Sequence, residues 1–208
     1  MTNNVVQLIT DNTANFESAG DMLINKYPRL YKTRCAAYGI QLLLKDICEE
    51  VDWVQKIIND AKLIVSYMYE DCIILSLMKE YTNEKELKHP CTSMFSSNFL
   101  MLQSILNVQD ELQLLVVSSE WEKLNHNKKG IAVASIIQST QFWTPGKDLL
   151  QVLEPLVRAL QLVVSDWSTT GYLYEALEMA KEAIKQRCSS NQDKYMQIWE
   201  LFNCKSTE

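Results

Sequence analysis

The chain opens on Val5-Val6-Gln7-Leu8-Ile9, a short, β-branched apolar run that predicts a buried strand. Turn and cap formers follow at Thr10-Asp11-Asn12-Thr13. A helix is expected over about 14–26, with Phe16, Ala19, Leu23 and the flanking Met22 as its apolar face. Tyr27-Pro28 stops it, because the residue before a proline disfavours the α region. A second short strand near 31–35 completes a strand–helix–strand unit, whose strands should run parallel with a right-handed crossover.

From residue 36 onward the period is helical. The segment 36–50 carries Ile40, Leu43, Leu44 and Ile47, and 53–69 carries Ile57, Ala61, Ile64, Val65 and Met68. A short helix is expected at 72–81, then a break at Lys88-His89-Pro90. The pattern Phe99, Leu102, Ile105, Leu106, Leu112, Leu115 predicts one long helix over 95–117. Shorter pieces at 120–124 and 131–137 flank an Asn/Lys-rich loop at 125–130. The segment 147–164 is helical with Pro155 inside it, where a kink is expected. Helices at 170–187 and 193–202 close the pattern. No repeat of fixed period and no Gly/Ser/Pro-rich linker interrupts it. The expected fold is therefore mostly α with a short N-terminal βαβ, divided into 1–36 and 37–208.

Composition agrees with long helices and few turns: Gly 5 and Pro 4 are too few for a sandwich or barrel. The formal charge of -6 lowers the expectation of a duplex-binding face, which must replace phosphate counterions with basic residues. No apolar run is long enough to span a membrane. The six cysteines (Cys35, Cys48, Cys72, Cys91, Cys188, Cys204) and two histidines (His89, His126) show no zinc spacing. Buried reduced thiols in a cytosolic or nuclear protein are the better reading than disulfides.

Asp11 is the sharpest chemical candidate. A carboxylate at the carboxyl end of a parallel strand is where α/β folds place functional groups, and it could hold Mg²⁺. The same residue also reads as a turn or cap former before the first helix. Cys35 could be a nucleophile but has no histidine near it in sequence, so a small buried thiol is the better account. Tyr67, Tyr69, Tyr172 and Tyr174 and the tryptophans at 53, 121, 143, 167 and 199 lack the basic interleaving of a base-stacking groove and read as packing residues. Glu175, Glu178 and Glu182, interspersed with Lys181 and Lys185, read as an ion-paired helix surface. No phosphate-binding glycine loop, nucleophile elbow or kinase signature is present.

Several segments carry a resemblance in order along the chain. The run from Asn4 to Phe16 (NVVQLITDNTANF) resembles the second-aspartate segment of plant hAT-type transposases. The run from Lys32 to Leu42 (KTRCAAYGIQL) is similar to the family's CAAHCIxL stretch, and Pro90 to Leu100 (PCTSMFSSNFL) resembles PxxTRFATNFL. Glu120-Trp121, Phe142-Trp143, Val152 to Val157 and Gly171 to Ala176 follow in the family's order.

The resemblance implies an RNase H-like core interrupted by a large helical insertion, with 1–36 as a remnant of that core and 37–208 as the insertion. It implies metal-dependent phosphoryl transfer with Mg²⁺ or Mn²⁺ held by three carboxylates. Asp11 matches the second. The first belongs on a strand upstream of Met1 and the third on a helix downstream of Glu208. Phe95 matches an aromatic that handles the transposon end. Tyr38 stands where the family has histidine, and Met94 where it has arginine. One carboxylate cannot hold two metal ions for in-line displacement, so the chain alone is expected to bind no catalytic metal and to lack nuclease or strand-transfer activity.

The free edge of the strand at Val5–Ile9 should also leave 1–36 the least stable region, or paired with another chain. The family partner is DNA and the family compartment the nucleus. The competing expectation is a retained helical module that binds protein or DNA, as a homo-oligomer or with another protein, without catalysis. A full transposase in a longer reading frame is a third, which Tyr38 and Met94 weigh against.

Overall fold

The computed structural model describes residues 5–11, 13–91, 94–124, 127–164, 170–188 and 192–205, without the side chains of 170–174, 187–188, 192–195 and 205. Asn12, Thr92, Ser93, His126 and Trp167 fall outside these residues, as do the side chains of Tyr172 and Tyr174.

The fold is mostly α with a short N-terminal βαβ. Strand β1 (Gln7–Thr10), helix α1 (Ala14–Lys26) and strand β2 (Tyr31–Arg34) come first. The strands pair in parallel, with Gln7 opposite Tyr31 and Thr10 opposite Arg34. The helices α2 (Ala36–Glu50), α3 (Asp52–Met68) and α4 (Cys72–Tyr81) follow, then α5 (Ser96–Leu106), α6 (Gln109–Val116), α7 (Ser119–Leu124) and α8 (Lys128–Gln138). The last three are α9 (Thr140–Val164), α10 (Thr170–Cys188) and α11 (Gln192–Lys205).

The expected buried strand is not buried. Val5, Val6 and Ile9 are 53%, 66% and 59% exposed, because among the described residues β1 has a strand on one edge and a helix on one face. The expected apolar face of α1 is also turned outward: Phe16, Ala19, Met22 and Leu23 are exposed. Glu17, Gly20 and Ile24 face the sheet instead. The reason lies in β2. Lys32 sits beneath the helix, its Nζ 3.0 Å from Glu17 Oε2 and 2.7 Å from Asp21 Oδ1. The half-buried ammonium takes its counter-charges from α1, which turns Glu17 toward the sheet. A Cβ at Gly20 would lie 2.8 Å from Lys32 Cδ, so glycine is what lets the lysine stem pass under the helix.

The helical body has an ordinary apolar core. Ile40, Leu44 and Ile47 of α2 pack with Ile57, Ala61, Ile64 and Met68 of α3 and with Leu149, Leu153 and Leu156 of α9. α9 packs along α10 and also meets α2, α3, α5 and α8, while α11 returns to pack on α2. Caps set two helix starts. Asp71 Oδ1 accepts from Ile73 N at 2.7 Å, and Asn127 Oδ1 accepts from Gly130 N at 2.7 Å, which begins α8 ahead of the expected Ile131.

Two further expectations change. The single helix over 95–117 is two, because Val108 leaves helical geometry (φ -126°, ψ 32°) and is buried at the bend. The break turns α6 onto α4 and α8. In the other direction, α9 starts at Thr140 and continues through Pro145 and Pro155. Phe142 and Trp143 are buried in its first turns, and the Trp143 indole N–H donates to the Ile137 carbonyl at 2.7 Å. That packing outweighs the two helix bonds the prolines forfeit.

Candidate functional site

The second of the two parallel strands leads directly into the helical body, through Cys35. Thr10 closes β1 with its carbonyl accepting from Cys35 N at 2.8 Å, and Cys35 is the residue that starts α2. Asp11 therefore lies beside the entry to α2. Its Oδ1 accepts from Thr13 N at 3.1 Å and from Thr13 Oγ1 at 2.7 Å. This is the turn that begins α1, so the carboxylate does local structural work. Cys35 is half-buried.

Tyr38 stands one turn further along α2, half-buried, on the side of the helix that also carries Gln41 and Lys45 by three- and four-residue spacing. Gln41 and Ser96 are joined twice. Gln41 Nε2 donates to Ser96 Oγ at 3.0 Å, and Ser96 N donates to Gln41 Oε1 at 3.1 Å. The amide thereby satisfies an orphan N–H at the start of α5 from another helix. Lys45 Nζ lies 5.8 Å from the centroid of the half-buried Phe95 ring, a cation–π contact. It also lies 3.8 Å from Glu49 Oε2. Met94 is 50% exposed, and Cys91 is bridged to it. The Ser97 hydroxyl ties this loop down, accepting from Cys91 N at 2.7 Å and donating to the Met94 carbonyl at 2.6 Å.

The structure thus brings Phe95 onto α2 beside Lys45, with Tyr38 two turns away on the same helix face. Sequence reasoning missed Gln41, Lys45 and Ser96. The available signal was the i, i+3, i+7 spacing of Tyr38, Gln41 and Lys45 on a helix whose opposite side is apolar.

A second polar cluster holds α1 to β2. Besides its two ion pairs, Lys32 Nζ donates to the Glu17 carbonyl at 2.9 Å, and Arg34 Nε lies 3.1 Å from Glu17 Oε1. The Lys32 and Arg34 bonds hold the Glu17 carboxyl below its ordinary value against partial desolvation. The Asp21 and Glu17 bonds hold the Lys32 ammonium above its own. The cluster was not anticipated from sequence.

Elsewhere the candidates are structural. Trp121 packs edge-on to Tyr67 and Trp143 to Phe142, at centroid distances of 5.7 and 5.1 Å. Glu175, Glu178 and Glu182 lie on the exposed face of α10. Burial in the α2–α3 core pushes the Cys48 thiol up to about 11. An open groove of about 410 Å³ runs between α5 and α9, lined by Phe99, Gln103, Leu150 and Val157 among others, and no sequence-selected site residue lines it. Among the described residues no helix is long and apolar enough to cross a membrane.

The metal implied by the resemblance finds no matching residue set. Asp11 offers one carboxylate with Oδ1 already taken by Thr13. No group of three His, Cys, Asp or Glu side chains able to hold a metal ion gathers among the described residues.

Residues 2–64 match the family model described as "Domain of unknown function (DUF659)", a domain found in transposase-like proteins of the hAT family. The match covers the βαβ unit, α2 and most of α3, so it spans the junction between strands and helical body. No curated protein and no solved structure matches the chain.

Proposed function

We propose that the chain is a transposase-related module of the hAT type that acts through its surfaces and does not cut or join DNA by itself. One observation carries the reading: the carboxylate matched to the family's second catalytic acid is hydrogen-bonded into its own turn, and among the described residues it joins no group of three side chains able to hold a metal ion. In-line displacement with two metal ions needs several carboxylates converging on one point, and the described residues supply one.

The arrangement of the helical body supports the rest of the reading. A body inserted into another domain must leave close to where it enters. Here α2, which follows directly from β2, is packed against α11. The βαβ unit then stands for part of an RNase H-like core and α2–α11 for its insertion. DNA is the partner the resemblance implies, and Tyr38, Lys45 and Phe95 are the face that would meet it. Nuclear residence belongs to the same reading.

The test is cleavage of a labelled duplex with Mg²⁺ or Mn²⁺ by the wild-type chain and by Asp11→Ala. Neither should yield a metal-dependent product. A product made by the wild type and lost in Asp11→Ala would overturn the proposal.

A further inference from the structure

Helix α5 packs chiefly on α9 and α3. Its first turn is tied to α2 by polar side chains. Gln41 Nε2 donates to Ser96 Oγ at 3.0 Å, and Gln41 Oε1 accepts from Ser96 N at 3.1 Å. Seven residues further along α2, the Asn98 side chain bonds the Cys48 thiol. Ser96 and Asn98 are 5% and 6% exposed, so both ties are made away from water, where a hydrogen bond left unmade costs most.

Phe95 is the residue just before this joint. Its ring reaches α2 one turn past Gln41, with the centroid 5.8 Å from Lys45 Nζ. Tyr38, Gln41 and Lys45 share one face of α2 by their spacing. Gln41 stands at the centre of that face, yet both polar atoms of its amide already bond Ser96. A ligand on the face therefore meets Tyr38, Lys45 and Phe95.

We propose that Gln41 is a positioning residue: its paired hydrogen bonds to Ser96 set the Phe95 ring against Lys45, and Gln41 itself meets no ligand. Without the amide, Ser96 N is an orphan donor at a helix start and must turn to another acceptor. The start of α5 then moves away from α2 and takes the ring with it. The rest of α5 stays, because α3 and α9 hold it. Placement of Phe95 and stability of the body are thus set by different contacts. The inference deepens the reading above and rests on it for the ligand, since DNA is what this face would meet.

The experiment compares the full chain as wild type, Gln41→Leu, Gln41→Glu, Phe95→Leu and the double variant Gln41→Leu/Phe95→Leu. Proton NMR reads the Lys45 methylene next to Nζ, which the Phe95 ring shifts; Phe95→Leu gives the value without the ring. Gln41→Leu should move this resonance most of the way to the Phe95→Leu value. Gln41→Glu should return it to the wild-type value, because a carboxylate can accept from both Ser96 N and Ser96 Oγ. The core methyls of Leu44 and Leu153 should stay in place throughout. A labelled duplex of mixed sequence at low salt reads the face. Gln41→Leu and Phe95→Leu should each weaken binding about threefold or more, and the double variant no further than the weaker single, since both act through one ring. A Lys45 resonance unmoved by Gln41→Leu, or not restored by Gln41→Glu, overturns the proposal. So do losses that multiply in the double variant, or a collapse of the core methyls in Gln41→Leu, which would make Gln41 a residue of stability alone. A wild type that binds no duplex overturns the DNA reading of the face, and the resonance alone then decides the role of Gln41.

Discussion

Truncating one apolar side chain in each part of the molecule separates the strand unit from the helical body. Leu44 is fully buried on α2 among Ile40, Ile47 and the α3 side chains. Leu44→Ala removes three buried carbons and leaves a cavity, at a cost of about 3 kcal/mol. For a chain of this size, one kcal/mol shifts the melting temperature by roughly 2–4 °C, so a fall of about 6–12 °C is expected. Ile9 is 59% exposed on β1. Full burial of an isoleucine contributes about 1.5–3 kcal/mol, and less than half of that is realised here, so Ile9→Ala costs about 1 kcal/mol or less. That cost falls on a unit whose chief contacts are internal, β1 with β2 and both with α1. The main melting transition should then move by less than about 2 °C. Thermal melts followed by circular dichroism, at a concentration where the chain is monomeric, read both values. Hydrogen exchange in the same samples should show the amides of 5–34 exchanging well ahead of those in α2 and α3. An Ile9→Ala melt as low as that of Leu44→Ala would refute the division into a marginal strand unit and an independent body. Strong protection of Val5–Ile9 in a demonstrated monomer would do the same.

Other outcomes follow from particular contacts. Trp143→Phe removes the 2.7 Å donor to the Ile137 carbonyl and leaves it the longer 3.5 Å bond from Gln113 Nε2, and should lower unfolding stability by about 0.5–1.5 kcal/mol in a urea titration. Docking of α1 on β2 should be pH-limited at both ends. The Glu17 pairing stabilises the docked state fully above the ordinary carboxylate value of about 4.5 and is lost as pH falls below it through the lowered value, while the Lys32 pairing is fully present below about 10.5 and is lost as pH rises above it through the raised value. Exchange protection of β2 corrected for intrinsic rate should therefore be flat between those limits, and uniformly lower in Lys32→Met. Thiol labelling of the native chain near neutral pH should reach the exposed Cys72, Cys91 and Cys204 and spare Cys48 until the body unfolds.

The helical segments were legible because their apolar residues recur at helical spacing and stay buried together. Three helices, Ala14–Lys26, Ala36–Glu50 and Cys72–Tyr81, begin and end where the pattern places them. The misreadings share a cause. Periodicity reports which residues could face a core, and it is silent about where the chain must turn to reach one. Apolar spacing runs on through Val108, yet α6 has to swing away to cover α4 and α8, and the Asn107 and Asp110-Glu111 that flank the turn are the only local signal. In the same way Pro145 marks a boundary in sequence, and the burial of Phe142 and Trp143 ahead of it carries the helix across.

The strand unit defeated the same logic more completely. Phe16, Ala19 and Leu23 form a convincing apolar stripe, but the position beneath the helix belongs to Lys32, and electrostatics rather than apolar area decides which face of α1 turns inward. The half-buried Lys32 ammonium takes its counter-charges from Glu17 and Asp21, and those bonds fix which side of α1 meets the sheet. The apolar stripe of α1 is therefore left outward once the ionic face is satisfied. A unit with charges inside and apolar residues outside gains by burying its edge against a matching surface.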